Sequence, residues 1–181
     1  MFNLIECSIE DIKNAFSKNE LTSYAITKMY LDRIGSIDQG SPKYNSILEV
    51  NPDALYEARI KDNERLHGKA KGILHGIPVI LKDNINTLGK MHTTAGSLAL
   101  QDTFAPYDAE IARRLKDEGA IILGKANLTE FANFMTIGMR NGYSSLGKQV
   151  LCPYNTAVDP SGSSAGSAVS CLLYTSPSPR D

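Results

Sequence analysis

Two kinds of apolar spacing alternate along this 181-residue chain. Ile26, Met29, Tyr30 and Ile34 recur at intervals of three and four, the spacing of one helix face, and Thr22 stands ahead of them as an N-cap. A shorter helix is predicted before it, opened by Ser8 with Asp11 three residues on, the pattern of a capping box. Residues 45–50 read as a strand. A charged helix should follow, with Asn51 as N-cap, Pro52 at its first position and a stop near Gly68. From there strand and helix repeat: a short apolar strand over 77–81, a helix capped by Asp108 that ends at Gly119, a buried strand over 120–124, and a helix over 128–135 capped by Asn127. Uninterrupted apolar strands alternating with amphipathic helices predict an α/β fold with a mixed, largely parallel sheet covered by helices on both faces. Residues 137–160, rich in Gly, Ser, Asn and Pro, show neither period, and such a stretch inside a domain is more often a functional surface than a linker.

Composition narrows the classes of function. The chain is 42% hydrophobic, and a single domain of this length buries about 70% of its unfolded surface. A formal net charge of −1, with no run of five or six basic residues, gives no field for nucleic acid, so direct nucleic-acid binding is not expected. The three cysteines, Cys7, Cys152 and Cys171, form no C-x-x-C pair and no metal-spaced cluster with histidine. They read as reduced thiols of a cytosolic protein, each a buried filler, and no metal or cofactor is expected. Residues 1–6 lack a basic start, and nothing approaches 18 uninterrupted apolar residues. Export and membrane spanning are therefore not expected, and a cytoplasmic protein is.

The candidate chemistry lies in two runs. The first is Asp159-Pro160-Ser161-Gly162-Ser163-Ser164-Ala165-Gly166-Ser167-Ala168; the second is Gly76-Ile77-Pro78-Val79-Ile80-Leu81-Lys82-Asp83-Asn84. Gly162 to Gly166 matches the G-x-S-x-G nucleophile elbow, with Ser164 as nucleophile. That elbow needs an apolar strand before it and a histidine after it, whereas residues 154–161 are polar and proline-broken, and His67, His75 and His92 all precede the serine. No phosphate-binding G-x-x-x-x-G-K-[ST] occurs. What remains is a serine and lysine arrangement, a known variant of triad chemistry.

These two runs, together with Thr93-Thr94-Ala95-Gly96-Ser97 and the stretch from Gly119 to Ala132, occur in the order and spacing of the amidase signature family, which the chain resembles from about Ser8 to Ser170. The resemblance implies hydrolysis of a carboxylic amide to acid and ammonia, or passage of the ammonia onward by an A-type glutamine amidotransferase subunit. It implies that Lys82 is the catalytic lysine and that Ser163 is the serine held in a cis peptide, its hydroxyl bridging Lys82 and a nucleophilic serine. Lys82 must be neutral to accept a proton, and burial behind residues 77–81 would lower its pKa from about 10.4. Backbone amides near the nucleophile would bind the oxyanion. No cofactor is implied, the expected partner is a small-molecule amide, and partner subunits are left open. Ser161 stands where the family usually has glycine. Thr94, Ser97 and Asn84 are as readily loop braces as substrate contacts, Glu130 reads as a structural partner, and His92 as a bystander.

In the family the acylated serine follows the cis serine by a helix, a strand and a glycine-rich turn, which places it roughly 20 or more residues beyond Ser163. Ser176 and Ser178 flank Pro177 with no glycine nearby and are not that serine. The expectation is a native part over 1–170, a non-native tail over 171–181, and a chain inactive without its nucleophile. A non-catalytic binding protein using the partial fold is the alternative.

Overall fold

Side chains along the strand Ile121–Ala126 are buried at every position. Ile121 and Leu123 enter one apolar cluster, Ile122 another. A strand so placed must be covered on both faces, and the computed structural model, which describes residues 2–135 and 137–174, shows how. In chain order the elements are α1 (Ile9–Ser17), α2 (Ser23–Arg33), a π-helical turn (Ile34–Asp38), β1 (Ile47–Val50), α3 (Ala54–Leu66), β2 (Pro78–Lys82), α4 (Glu110–Asp117), β3 (Ile121–Ala126), the short hairpin strands β4 (Tyr143–Ser144) and β5 (Lys148–Gln149), and α5 (Ala165–Tyr174). The main sheet has the order β1-β3-β2 and is mixed. Its longer pairing is parallel, from Pro78 opposite Ile121 to Lys82 opposite Ala126, while β1 runs antiparallel to β3. The expected α/β architecture with helices on both faces is what forms. Ile12, Phe16, Ile26, Ile34, Ala58 and Tyr174 close over Ile121 and Leu123; Ala112 of α4, with Leu81 and Met91, closes over Ile122.

Local chemistry sets several boundaries as read. Ser8 and Asp11 form the capping box of α1, and the Thr22 hydroxyl accepts from the Ala25 amide at the start of α2. A second acceptor for α2 comes from α3, whose Asp62 carboxylate takes the amides of Ser23 (2.6 Å) and Tyr24 (2.9 Å), an anion at a helix N-terminus. Arg65 binds both Asp62 and the Ser23 hydroxyl and lies over the Phe16 ring, locking α1, α2 and α3 together. After α4, Gly119 takes φ +85°, and a Cβ there would meet His75 at 2.7 to 3.1 Å.

Other boundaries differ. α3 begins at Ala54 rather than at Pro52: Asn51 Oδ1 accepts from Asp53 N (2.9 Å), as a cap does, but residues 52 and 53 form a turn ahead of the helix, and the Asn51 side-chain amide donates away from it to the Ile122 carbonyl (2.8 Å). Asp108 does not cap α4, since its carboxylate holds Leu88 N and the Lys116 ammonium. The helix expected over 128–135 is a single 3-10 turn, Glu130–Asn133, with left-handed backbone at Phe131, Ala132 and Asn133. Asn127 is spent on long-range bonds to Asn45 O and Ser144 Oγ. Of the cysteines only Cys7 is a buried filler; Cys152 is half-buried and Cys171 exposed. Within the 171–181 stretch, residues 171–174 form the last turn of α5, with Tyr174 buried. Ser176, Pro177, Ser178 and Pro179 lie outside the described residues.

Candidate active site

Lys82 is the last residue of β2, and Ser163 stands two residues before α5. Parallel pairing with β3 fixes the strand end, and α5 packs against β2 and β3, with Tyr174 in the apolar cluster that holds Ile121 and Leu123 and with Val169 turned to Val150. The two elements bring residues 81 positions apart into contact: the Lys82 ammonium nitrogen lies 2.8 Å from Ser163 Oγ and 2.9 Å from Ser164 Oγ. The Gly162–Ser163 peptide is cis. The Ser163 carbonyl accepts from Thr129 N (2.9 Å), which ties the loop to the turn after β3. At Gly162 a Cβ would sit 2.6 Å from Thr129 Oγ1, so the loop cannot approach that turn with a larger residue. Ser161 adopts φ +60°, the left-handed conformation that favours the glycine its position usually carries in the family, and its amide donates to the Asp159 carboxylate. Burial holds the Lys82 pKa below the usual lysine range.

Behind Lys82 lies a buried ionic cluster. Asp83 is 1% exposed, and its Oδ2 accepts from Thr94 N (3.1 Å), the Thr94 hydroxyl and Gly96 N (3.2 Å). Its Oδ1 faces the ammonium of Lys125 at 3.8 Å. Lys125 is fully buried in β3 and donates to Ile85 O (2.7 Å) and Thr93 Oγ1 (3.0 Å). Burial pushes the Asp83 carboxyl up and the Lys125 amine down. The geometry nonetheless fits carboxylate and ammonium: Oδ2 faces only donors, and Oδ1 has no acceptor for a proton among the described residues.

The sequence-predicted residues thus divide. Lys82 and Ser163 meet. Thr94 braces the loop through Asp83, the Ser97 hydroxyl accepts from Ala99 N, and Asn84 is exposed. Glu130 is the structural partner expected, its carboxylate accepting from Ser145 N (2.7 Å), though from a turn and not a helix. His92 is engaged with Glu49, its amide donating to Glu49 Oε2 and its Nδ1 lying 2.9 Å from Oε1. Ser164, which the sequence offered only as the nucleophile of an elbow whose context fails, also meets Lys82, and Lys125 had no expected role. The signal for Lys125 was its place directly after the apolar run 120–124; it is the fifth of the six residues of β3, whose other side chains are all apolar.

Comparison with known proteins matches this geometry to a family. The Amidase family model covers residues 25–171. The native peptide amidase of Stenotrophomonas maltophilia superposes with a TM-score of 0.89 at 46% identity, over 93% of this chain and 35% of that one. A probable amidase of Arabidopsis thaliana is 45% identical over 171 residues, 93% of this chain and 33% of the relative. The A-type subunit of a glutamyl-tRNA(Gln) amidotransferase from Caldanaerobacter subterraneus subsp. tengcongensis is 37% identical over 166 residues, 91% of this chain and 32% of the relative. The chain therefore spans about a third of the length of the proteins it matches.

Proposed function

This chain belongs to the amidase family, and we propose that it supplies the lysine and the bridging serine of an enzyme that hydrolyses a small carboxylic amide to acid and ammonia. One observation carries the reading: Lys82 Nζ lies 2.8 Å from Ser163 Oγ at the junction of β2 and α5. With Lys82 neutral, its lone pair takes the Ser163 proton along that path, and Ser163 Oγ takes the proton of a nucleophilic serine as that oxygen attacks the amide carbon. The proton then returns through the same relay to the leaving nitrogen as the C–N bond breaks, and water repeats the attack on the acyl-enzyme. The nucleophile and the oxyanion donors come from the two-thirds of the fold that the relatives have beyond this chain. Burial that lowers the Lys82 pKa serves such a base, because a lysine left at about 10.4 would be almost wholly protonated near neutrality. The protein acts in the cytoplasm, without a cofactor.

A second reading, an amidotransferase A-type subunit, rests on the 37% identity to the Caldanaerobacter protein; the 46% identity to the peptide amidase favours free hydrolysis. The test is ammonia release by the full-length enzyme from aliphatic and aromatic amides, peptide amides and glutamine. Lys82→Ala should leave the fold intact and lower turnover by at least ~100-fold, since one proton-transfer group contributes on the order of 10² to 10⁴. The 181-residue chain alone should release no ammonia. Parental turnover in Lys82→Ala, or turnover by the 181-residue chain that Ser163→Ala abolishes, defeats the proposal. Activity confined to glutamine in the presence of a partner subunit selects the second reading.

A further inference from the structure

The side chains of Asp83 and Lys125 make no hydrogen bond to Ser163 or to the Lys82 ammonium, yet a continuous chain of hydrogen bonds through them joins the backbones of Lys82 and Ser163. Asp83 follows Lys82 in the chain, its amide donates to Ala126 O (3.0 Å) and its carbonyl accepts from Ala95 N (3.2 Å). Its carboxylate collects the two amides and the hydroxyl of the 94–96 turn. The Lys125 ammonium holds the carbonyl of Ile85, two residues past Asp83, and the hydroxyl of Thr93, just before the turn. From that turn Ala95 O accepts from Phe131 N (3.0 Å), Ala132 N donates to Thr129 O (2.8 Å), and Thr129 N donates to Ser163 O (2.9 Å). One end of this network is the backbone of Lys82 and the other is the backbone of Ser163.

We propose that the Asp83–Lys125 pair is a positioning unit for the proposed reaction, holding the end of β2 and the 94–96 turn so that Lys82 and Ser163 meet at hydrogen-bond distance. The inference rests on the reading of Lys82 and Ser163 given above. A buried ion pair adds little to stability compared with an apolar pair of similar volume, so stability alone does not explain charges here. An apolar pair, however, would leave the Thr94 amide and hydroxyl without their acceptor and the Gly96 amide with the Thr94 hydroxyl alone, which loosens the turn.

The experiment uses the full-length enzyme with a dipeptide C-terminal amide as substrate. It compares Asp83→Asn, Lys125→Met, their double variant and Thr94→Val, with Lys82→Ala and Ser163→Ala as controls. Turnover is expressed per folded molecule, counted by active-site titration beside a thermal melt. Each single ion-pair variant should lower kcat about 10- to 100-fold while KM moves by less than about threefold, the signature of a misplaced reacting group. The double variant should be no slower than the worse single one, because the two residues act as a unit. Thr94→Val strands no charge and folds where the others fail; it should lower kcat in the same direction by about threefold to tenfold. Parental kcat per folded molecule in Thr94→Val overturns the inference, as does a kcat loss matched by loss of folded enzyme in every variant. Lys82→Ala or Ser163→Ala running at parental rate instead defeats the reading of the site itself, on which the inference stands.

Discussion

Gly166→Ala tests whether α5 is seated as tightly as the site requires. In an ordinary helix interior this substitution stabilises by about 1 kcal/mol, because alanine loses less backbone entropy than glycine. Here a Cβ at residue 166 would lie 2.5 Å from Ser46 O, 2.7 Å from Asn127 N and closer still to Asn127 O, all of them main-chain atoms. Ordinary contact begins at 3.4 Å, so α5 must retreat by roughly 1 Å, and the bond from Gly166 N to Asn127 O (3.1 Å) is lost with it. Overpacking typically costs about 1 to 3 kcal/mol and a lost hydrogen bond about 1 more, which exceeds the helix-propensity gain and leaves a net loss of about 1 to 3 kcal/mol. For a chain of this size that is a fall in Tm of about 3 to 10 °C, read by circular dichroism on the 181-residue chain. Gly35→Ala is the control: nothing lies within 4 Å of its Cβ, and it should melt with the parent or slightly above. A Gly166→Ala chain that melts at or above the parent would refute the argument that α5 sits against the backbone of Asn127 and Ser46.

Two further outcomes follow from charge. Lys82→Arg should be as inactive as Lys82→Ala, because a guanidinium keeps its proton near neutrality; an active arginine variant removes the proton-accepting role. Because burial lowers the Lys82 pKa, turnover should rise with pH along an acid limb whose midpoint lies below about 10.4; a midpoint at or above that value contradicts the role of burial. His75 supplies a stability prediction: burial lowers its pKa, Lys71 N donates to Nδ1, and Nε2 faces Lys61 O, which fixes a neutral tautomer. With the folded value below the unfolded one, the unfolded chain binds more protons, so stability is full above about pH 6.5 and falls as pH drops through the folded pKa. The Tm of the parent should fall more than that of His75→Gln between about pH 7.5 and about pH 5, and equal slopes would contradict it.

What the sequence disclosed depended on the range of the interaction. The Ser8 and Asp11 capping box, the Thr22 cap and the stop at Gly119 are settled within a few residues, and they form as read. Asp108 and Asn127 carry the same cap chemistry, yet each side chain is claimed by partners far along the chain, Asp108 by Leu88 N and Lys116 Nζ and Asn127 by Asn45 O and Ser144 Oγ, while Asn51 makes its local bond to Asp53 N and reaches Ile122 O as well. Local propensity cannot register such competition. The meeting of Lys82 with Ser163 came from the order of motifs and not from any periodicity, since 81 residues separate them. Lys125 was legible as an anomaly in an apolar strand. Its partner was not, because which carboxylate a buried lysine finds depends on sheet order.

The run from Asp159 to Ala168 therefore answers two demands at once. Its hydroxyls face Lys82, Ser163 and Ser164 both lying within hydrogen-bond distance of Nζ. Its glycines lie where backbone must pass against Thr129 and Asn127. A run chosen for hydroxyl chemistry alone would tolerate alanine for glycine, and a run chosen for close packing alone would tolerate alanine for serine. Because the Ser163 carbonyl is bonded to Thr129 N while its hydroxyl meets Lys82, the backbone contact and the proton path belong to the same residue. A substitution that opens the first lengthens the second. Loss of activity should accordingly accompany loss of packing at Gly162 and Gly166, whereas Lys82→Ala should remove activity with the packing left in place.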